Sequence, residues 1–364
     1  MYMKKRISSF ISRRAFLLGS VVILFSSLPI IKNLQASPKK IKKVALGACV
    51  TQERKQPIWK SILKDKSDLF IFMGDNVYGD DKKTGKLGKL KKAYNKQKTK
   101  IPFVELKKTN EIFAIWDDHD YGKNDGGAEY PYKKEAKELF LDFWGASQND
   151  IRRQRDGIYF ETKRLTDDGI VQFIFLDTRY FRSPLKRTDE WGAPTKERYL
   201  PDNDPSKTFL GNDQWNWLSN ALDENADIRV LVSSIQIIAE GHGYEKWGNL
   251  PLEKNKLYDL IDKKGINNMI FLSGDRHAGG IYKGKTKGGN DIYELTSSSL
   301  NLPGGAWVSK YKGKKRPPEA GPNRINSLYL WENYGLIEFK NNKEILLSLK
   351  DINGKTVNKI QVNF

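Results

Sequence analysis

The chain has 364 residues, of which 38% are hydrophobic and 12% aromatic, and its formal net charge is +19. A chain of this composition can bury a substantial core, which excludes an intrinsically disordered protein. Its single cysteine, Cys49, excludes an intrachain disulfide and leaves a free thiol that is either buried or functional. The length allows one large domain with an extension, or two small domains.

The first 36 residues have the pattern of a targeting segment rather than of a folded domain. Arg13 and Arg14 directly precede an apolar stretch, Ala15 to Ile31, in an order that resembles a twin-arginine export signal. The following "LQAS" partly matches small-residue cleavage sites, so we expect cleavage after Ala36. The alternative is an uncleaved membrane anchor, although the apolar stretch is shorter than the roughly 20 residues of a spanning helix.

Such a signal predicts export across the bacterial inner membrane by the twin-arginine machinery, to a periplasmic, cell-wall-associated or secreted location. Removal of residues 1–36 takes away six basic residues and no acids, which leaves a net charge of +13. Nine lysines and no acid lie between Lys82 and Lys100, and this run could attract a nucleic acid or an anionic envelope polymer. The favoured interpretation is a solvated helix face, because no nucleic-acid motif accompanies the run.

Apolar runs recur through the rest of the chain, and each one ends in polar residues. The runs are "KVALGACV", "DLFIFMGDNVYGD", "EIFAIWDDHDYG", "VQFIFLDTRY", "RVLVSSIQ" and "NNMIFLSGDRH". Runs without polar alternation are typical of strands that are covered on both faces. Helical patterns alternate with these strands, so the sequence predicts a layered α/β domain over residues 37–364.

Two of the helical patterns carry recognisable ends. "GNDQWNWLSNALDEN" offers Asn212 or Asp213 as an N-terminal cap, and "PLEKNKLYDLIDKKG" begins with Pro251 and ends before Gly265. After about residue 333 the pattern changes to short strands joined by turns, including an Asn353-Gly354 pair, which predicts a β meander over 334–364. Two irregular stretches, 182–208 and 298–323, are as long as loops that form the rim of a binding site or a mobile lid, and plain surface loops are the alternative.

The polar residues at the strand ends are donors that metal ions use. They are Cys49, Asp75, Tyr78, Asp117, Asp118, His119, Asp120, Asp275 and His277. Ligands collect at the carboxyl ends of strands in layered α/β domains, and crowded acids are costly unless a cation compensates them. Oxygen-rich ligation suits Mn, Fe, Mg or Ca, whereas the thiol and the phenol favour ferric iron or zinc. Two ions that share a carboxylate would activate a water and clamp a phosphoryl group.

Several of these segments resemble known metallophosphatases. "GDNVY" is similar to the Gly-Asp-x-x-Tyr element of calcineurin-like and purple acid phosphatases. "WDDHDYGKND", "LDTRYFR", "LGNDQWNWL" and "GDRH", in that order, resemble the alkaline phosphatase D (PhoD-like) family over roughly residues 44 to 300. The resemblance implies a layered β-sandwich flanked by helices, α/β/β/α. The chain has Cys49 and "GDRH" where ordinary metallophosphatases have Asp-x-His and Gly-His-x-His, a departure typical of the PhoD-like branch.

The resemblance also implies metal-binding roles. Asp75 would bridge two ions, and Tyr78 and Cys49 would bind the more polarising one, with ferric iron and calcium as the implied pair and zinc, manganese or magnesium as alternatives. The further implied ligands are Asp118, Asn124, Asp275 and His277.

Two residues have implied catalytic roles. His119 would protonate the leaving oxygen or stabilise charge on the phosphoryl group. Arg179 could make a bidentate contact with a phosphate, or could instead pair with Asp177 or another strand-end acid. His242 has no motif around it and is interpreted as a loop histidine.

Three functions are consistent with the sequence. The first is an exported metal-dependent hydrolase of phosphate monoesters or diesters that uses a metal-bound hydroxide, since no serine or cysteine nucleophile motif is present. The second is a strict phosphodiesterase or phospholipase D-type enzyme of the same fold, which would cleave phospholipids or anionic polymers. The third is a non-catalytic basic protein that binds the envelope.

Overall fold

The computed structural model describes residues 40–81, 86–306, 310–315, 318–340 and 343–364. The predicted export signal, with Arg13, Arg14 and its cleavage point at Ala36, lies outside the described residues, as do residues 82–85 of the lysine run. None of the helices in the described ranges combines the length and the apolar character that crossing a membrane requires.

Strands and helices alternate along the described chain. The strands are β1 (Lys43–Gly47), β2 (Leu69–Met73), β3 (Glu111–Ile115), β4 (Phe160–Thr166), β5 (Gly169–Phe175), β6 (Ile228–Val232), β7 (Met269–Ser273), β8 (Gly279–Lys285), β9 (Asp291–Ser297), β10 (Lys310–Tyr311), β11 (Lys314–Lys315), β12 (Arg324–Tyr329), β13 (Asn333–Phe339), β14 (Glu344–Asp351) and β15 (Thr356–Asn363). The helices are α1 (Trp59–Lys64), α2 (Gly88–Lys98), α3 (Ile101–Thr109), α4 (Asp118–Tyr121), α5 (Lys133–Trp144), α6 (Ile151–Gln154), α7 (Gly211–Ala221) and α8 (Pro251–Lys263), with 3₁₀ turns at Trp247–Asn249 and Gly304–Ala306.

Two large sheets carry the fold. The first has the strand order β15-β14-β13-β1-β2-β3, in which β1, β2 and β3 are parallel and the last three strands of the chain form an antiparallel meander. The second has the order β12-β8-β9-β7-β6-β5-β4, in which β5, β6, β7 and β9 are parallel. A third, two-stranded pairing joins β10 to β11.

The two sheets face each other across one apolar layer. Along β5, Val171, Phe173 and Phe175 belong to the same buried cluster as residues of the first sheet, whereas Ile174 belongs to a second cluster on the outer face. The ring of Phe113 on β3 lies 5.4 Å from that of Phe175. This alternation with period two is expected of a strand that is covered on both faces.

Helices cover the outer face of each sheet. Aromatic side chains of α1, α3 and α5 pack on Phe72 of β2, where Trp59, Phe103 and Trp144 have ring centroids 5.8, 5.9 and 4.9 Å away. Helices α7 and α8 contribute apolar residues to the outer cluster of the second sheet. The predicted class, a layered β-sandwich flanked by helices, is therefore confirmed.

The helix ends only partly follow the prediction. Helix α8 begins with Pro251 at its first position, and the chain leaves it through Gly265 at φ +64°, as the sequence predicts. Helix α7 instead begins at Gly211, with Leu210 in the capping position, so neither Asn212 nor Asp213 is the N-cap. Leu210 is buried in the outer cluster, and its packing fixes where the helix begins.

Candidate metal centre

The carboxyl ends of parallel strands from both sheets meet at one edge of the sandwich. Cys49 and Asp75 each follow the last residue of β1 and β2 by two positions, and Asp275 follows β7 in the same way. The backbone N–H of Cys49 donates to the carbonyl of Gly74 at 3.3 Å, and that of Gly274 donates to Ser234 at 3.0 Å. The chain therefore brings residues that are far apart in sequence to a common edge.

Four groups of side chains at this edge have donor atoms that all lie within 4.8 Å of one another. The groups are Cys49, Asp75 and His277; Asp75, Asp118 and His119; Asp117, Asp118 and Asp275; and Asp118, Asp125 and Glu245. Asp75 belongs to two of the groups and Asp118 to three, so the groups form one continuous cluster. Five residues predicted to bind metal, Cys49, Asp75, Asp118, Asp275 and His277, are brought together in it.

Asp75 is the most heavily contacted acid of the cluster. Its Oδ2 accepts a hydrogen bond from the Tyr78 hydroxyl at 2.8 Å and lies 3.5 Å from the Sγ of Cys49, and its Oδ1 accepts from the backbone N–H of His119 at 3.2 Å. Tyr78 is thus placed beside the two residues with which it is predicted to share an ion. The Sγ of Cys49 also lies 3.2 Å from the hydroxyl of Ser298.

Four residues of this edge have left-handed backbone. Cys49, Asp75, Asp275 and His277 have φ values of 57°, 50°, 63° and 52°, a region that residues with a side chain rarely adopt. Such conformations cost about 1–3 kcal/mol each and persist only where the surrounding structure imposes them, most often at functional sites.

Gly74 allows the ends of β2 and β3 to approach each other. Its φ is +104°, and a Cβ at this position would lie 2.4 Å from the Cβ of Asp117. Only glycine fits such a position. The close approach brings Asp75 next to the aspartates that follow β3.

Burial and crowding raise the pKa of two acids of the cluster, and two carboxylate oxygens lack a hydrogen-bond partner within the described ranges. Burial raises the pKa of Asp75 well above its usual value, and the neighbouring Asp118 raises it further. Burial and the nearby Asp117 raise the pKa of Asp275 in the same way. Among the residues that the structure describes, Asp117 Oδ2 and Asp118 Oδ1 are buried without a hydrogen-bond partner. Oxygens left unsatisfied in this way, in a group of carboxylates, fit the coordination of a cation.

The two histidines of the edge are held by different partners. His277 has its Nδ1 2.7 Å from the carbonyl oxygen of Leu302, so Nδ1 carries the proton and the lone pair is on Nε2, as metal-binding histidines require. Burial lowers the pKa of His277 to about 4. His119 has its Nδ1 2.6 Å from Asp80 Oδ2 and its ring centroid 4.3 Å from that of Tyr78. Burial lowers the pKa of His119, but three carboxylates, Asp118 first, raise it well above its usual value overall.

Arg179 does not occupy the position expected of a residue that contacts a phosphate. Its side chain is 0% exposed, its Nε donates to Asp117 Oδ1 at 2.6 Å, and its Nη1 lies 2.8 Å from Glu245 Oε2. The contact of Arg179 with a phosphate stays a prediction. The sequence also allowed a pair between Arg179 and a strand-end acid, and the guanidinium does pair with Asp117 and with Glu245. Asp177 is not its ion-pair partner, because the Asp177 carboxylate accepts a hydrogen bond from the backbone N–H of Arg179.

Three residues that the sequence analysis discusses as part of the site lie outside the four groups of candidate ligands. The backbone N–H of Asn124 donates to Asp80, which places Asn124 next to the partner of His119, and its role as a ligand stays a prediction. Asp120 is turned away and accepts from the backbone N–H of Asp117 at 2.6 Å. His242 is buried and has its Nε2 2.9 Å from Gln236 Oε1, outside the four groups.

The sequence interpretation missed three acids at this edge. Asp80 holds His119, and Asp125 and Glu245 complete the fourth group. Asp80 stands two residues after "GDNVY", and Asp125 is the last residue of "WDDHDYGKND", so their positions in or beside these motifs are the signal that could have identified them. Glu245 lies three residues after His242 in "EGHGYEKW", a segment that resembles no known motif.

The chain is similar to known phosphatases in sequence and in fold. A profile of the PhoD-like phosphatase family matches residues 46–346. Alkaline phosphatase D of Bacillus subtilis (strain 168) is 25% identical over 254 residues, which cover 60% of this chain. The chain spans 43% of the length of that relative.

Two solved structures share the fold. A structure of PhoD superposes with a TM-score of 0.64 and 16% identity, over 90% of this chain and 69% of that one. A purple acid phosphatase from seeds of yellow lupin (Lupinus luteus) superposes with a TM-score of 0.55 and 12% identity, over 89% of this chain and 54% of that one.

Proposed function

This chain belongs to the PhoD-like phosphatase family, and from that membership we propose that it is a metal-dependent phosphoester hydrolase. The observation that carries the proposal is the continuous cluster at the strand-end edge, in which Asp75 and Asp118 are each shared between groups of candidate ligands. Shared carboxylates are what a centre with two or more ions requires.

The donors divide into a softer and a harder set. Cys49, Tyr78, Asp75 and His277 supply a thiol, a phenol, a carboxylate and an imidazole, a combination that suits ferric iron or zinc. Asp117, Asp118 and Asp275 supply oxygens only, which suits calcium, magnesium or manganese. We propose Fe³⁺ for the first set and Ca²⁺ for the second. Bound ions would supply Lewis acidity toward the phosphoryl group and a water that ionises near neutral pH.

His119 is the proposed general acid for the leaving group. Its hydrogen bond to Asp80 fixes the orientation of the imidazole through Nδ1, so Nε2 is the nitrogen that would deliver a proton to the leaving oxygen. The ring packs against Tyr78, which limits its rotation. Asp80 is therefore proposed as a positioning residue that acts through His119.

The substrate class is proposed to be phosphate monoesters or diesters. Lysines of α2, namely Lys89, Lys91, Lys92, Lys96 and Lys98, are exposed, while the opposite face of the helix is buried. A basic face of this kind would attract a polyanion. This observation favours the second candidate function, a phosphodiesterase that acts on an anionic envelope polymer or on a phospholipid.

One preparation tests the activity and the centre together. We expect two or more metal ions per chain by elemental analysis, and hydrolysis of chromogenic phosphoesters that a chelator abolishes slowly, because candidate ligands such as Asp75 and Asp118 are buried. The ratio of turnover on monoesters to turnover on diesters separates a general phosphatase from a strict phosphodiesterase. Protein that holds stoichiometric metal and hydrolyses neither class would contradict the proposal.

Export by the twin-arginine machinery is a separate proposal that rests on the sequence alone. Replacement of Arg13 and Arg14 together by lysine should retain the chain in the cytoplasm without altering the activity of the purified protein. Unchanged export of the double variant would refute the assignment. The mobility of the exported chain on a gel would report whether the segment before Ser37 is removed.

A further inference from the structure

The proposed function calls for a group of the protein that contacts the phosphoryl oxygens, and three arginines near the cluster are largely buried. Arg179 and Arg182 have side chains that are 0% and 2% exposed, and both are paired with Glu245. Arg276, which precedes His277, is ion-paired with Glu319 and has its Cζ 4.5 Å from the centre of the Tyr244 ring. Arg276 is 10% exposed, so all three of these guanidinium groups are largely withdrawn from solvent.

Arg198 lies at the same edge and is accessible. Its side chain is 31% exposed, and its Nη1 donates to Asp125 Oδ2 at 2.6 Å. The backbone N–H of Asp125 in turn donates to Asp118 Oδ2 at 2.7 Å. Asp125 therefore links Arg198 to Asp118, the acid that belongs to three groups of the cluster.

The loop that carries Arg198 is held firmly at this point. The backbone N–H of Arg198 donates to the carbonyl of Gly243 at 3.0 Å, and its carbonyl accepts from Thr188 at 2.9 Å. The next residue, Tyr199, is buried and donates its hydroxyl to the same Asp125 oxygen at 2.8 Å. A guanidinium that is fixed in this way loses little side-chain freedom when it binds a ligand.

Trp191 covers the guanidinium from the solvent side. The Cζ of Arg198 lies 5.4 Å from the centre of the Trp191 ring, and Trp191 itself is 63% exposed. A guanidinium stacked on an aromatic face keeps its N–H groups in the plane of the stack, where they can still donate.

We propose that Arg198 is the substrate-binding residue that contacts the non-bridging oxygens of the phosphoryl group, with Trp191 as the platform that holds its guanidinium. The chemistry is the charge-assisted, bidentate hydrogen bonding by which arginine recognises phosphate. This assignment rests on the proposed function, and it gives to Arg198 the contact that the sequence assigned to Arg179.

The test compares Arg198→Ala and Arg198→Lys with Arg187→Ala. Arg187 is exposed, stands on the same loop and lies over the ring of Tyr199, so its replacement removes the same charge away from Asp125. For Arg198→Ala we expect KM to rise about 10- to 100-fold, the loss that corresponds to a hydrogen bond with a charged group, and kcat to change much less. Arg198→Lys should recover part of the loss, and Arg187→Ala should resemble the wild type.

Titration calorimetry with inorganic phosphate gives a readout that does not depend on turnover. Phosphate should bind Arg198→Ala more weakly by a factor similar to the rise in KM, at unchanged metal content. Unchanged KM and unchanged phosphate affinity would overturn the inference, as would a loss of metal from Arg198→Ala, since Arg198 would then act only through Asp125. If the wild-type protein with its metals hydrolyses no phosphoester, the proposed function fails, and the phosphate titration still decides whether Arg198 binds the anion.

Discussion

The strand-end cluster and the surroundings of Glu294 both bury carboxylates, but they satisfy them in opposite ways. Glu294 on β9 is fully buried, and its two oxygens accept hydrogen bonds from the backbone N–H groups of Ile237, Ile238 and Ala239 at 2.8, 2.7 and 3.2 Å. At the strand-end edge, by contrast, several acids have oxygens within 4.8 Å of each other, and Asp117 Oδ2 and Asp118 Oδ1 are buried without a hydrogen-bond partner in the described part of the chain.

The contrast separates a structural acid from a binding acid. Burial raises the pKa of Glu294, but three backbone donors oppose that effect and tie a loop to the sheet. For Asp75, the next largest effect after burial is repulsion by Asp118, which adds to the cost. Strained backbone occurs at Asp75 and not at Glu294. An acid whose oxygens accept hydrogen bonds from the backbone stabilises the fold. Crowded acids on strained backbone instead need a cation to offset their repulsion.

The largest effect is expected at the shared ligand. Asp75→Asn should lower turnover by about 1,000-fold or more, because the loss of the bridging charge removes the ions on which the chemistry depends. Steady-state kinetics on a chromogenic phosphoester measures the loss, with Glu294→Gln as the matched control. Equal activity of Asp75→Asn and Glu294→Gln would show that the strand-end cluster and the surroundings of Glu294 do not differ in their importance for catalysis.

A smaller loss is expected at the proposed proton donor. His119→Ala should lower kcat by about 100-fold, since general acid catalysis of the leaving group is lost while the ligands remain. Asp80→Asn should lower it by about 10-fold, because the imidazole persists but is less well oriented. The metal content of both variants should equal that of the wild type. Full activity of His119→Ala would rule out its assignment as the general acid.

The structural acid should show the converse behaviour. Glu294→Gln exchanges a carboxylate oxygen that accepts backbone N–H groups for an amide that cannot accept them equally well. We expect the free energy of unfolding to fall by about 1–3 kcal/mol, without loss of activity at temperatures where the protein stays folded. Urea denaturation measures this change. A variant as stable as the wild type would show that the backbone hydrogen bonds to Glu294 contribute little.

The smallest effect concerns His242, which lies beside Gln236 near the structural acid. Burial lowers the pKa of His242 well below its usual value, and Arg276, Lys246 and Arg324 lower it further. In the unfolded chain the histidine takes up a proton below about pH 6.5, whereas the folded protein does not, so stability falls as the pH falls through that value. His242→Gln should reduce this loss between pH 7 and 5 by about 1–2 kcal/mol. Parallel stability curves for the variant and the wild type would exclude the effect.

The sequence predicts the fold and the edge of the cluster well, because both follow from local patterns. Buried runs that end in Asp75, Asp118 or Asp275 predict parallel strands, and the carboxyl ends of such strands share an edge. The position of Leu210 at the start of α7 could not be predicted, because it is set by packing in the outer cluster.

The remaining residues of the site depend on tertiary structure. Asp125 and Glu245 lie in segments without regular secondary structure, and no local pattern relates two such segments. The position of Arg179 after a strand was evident, but whether its side chain lies in the interior or at the surface depends on Glu245, which is 66 residues away in sequence. The place of Arg198 in the site could not be predicted either, because its partner Asp125 lies 73 residues away in sequence.

The most direct test is the metal content of the two carboxylate variants, purified side by side and measured by elemental analysis. We predict two or more ions per chain in the wild type and in Glu294→Gln, and a clear loss of ions in Asp75→Asn. Equal metal content in Asp75→Asn and Glu294→Gln, whether both keep their ions or both lack them, would contradict the claim that cations hold the strand-end cluster together.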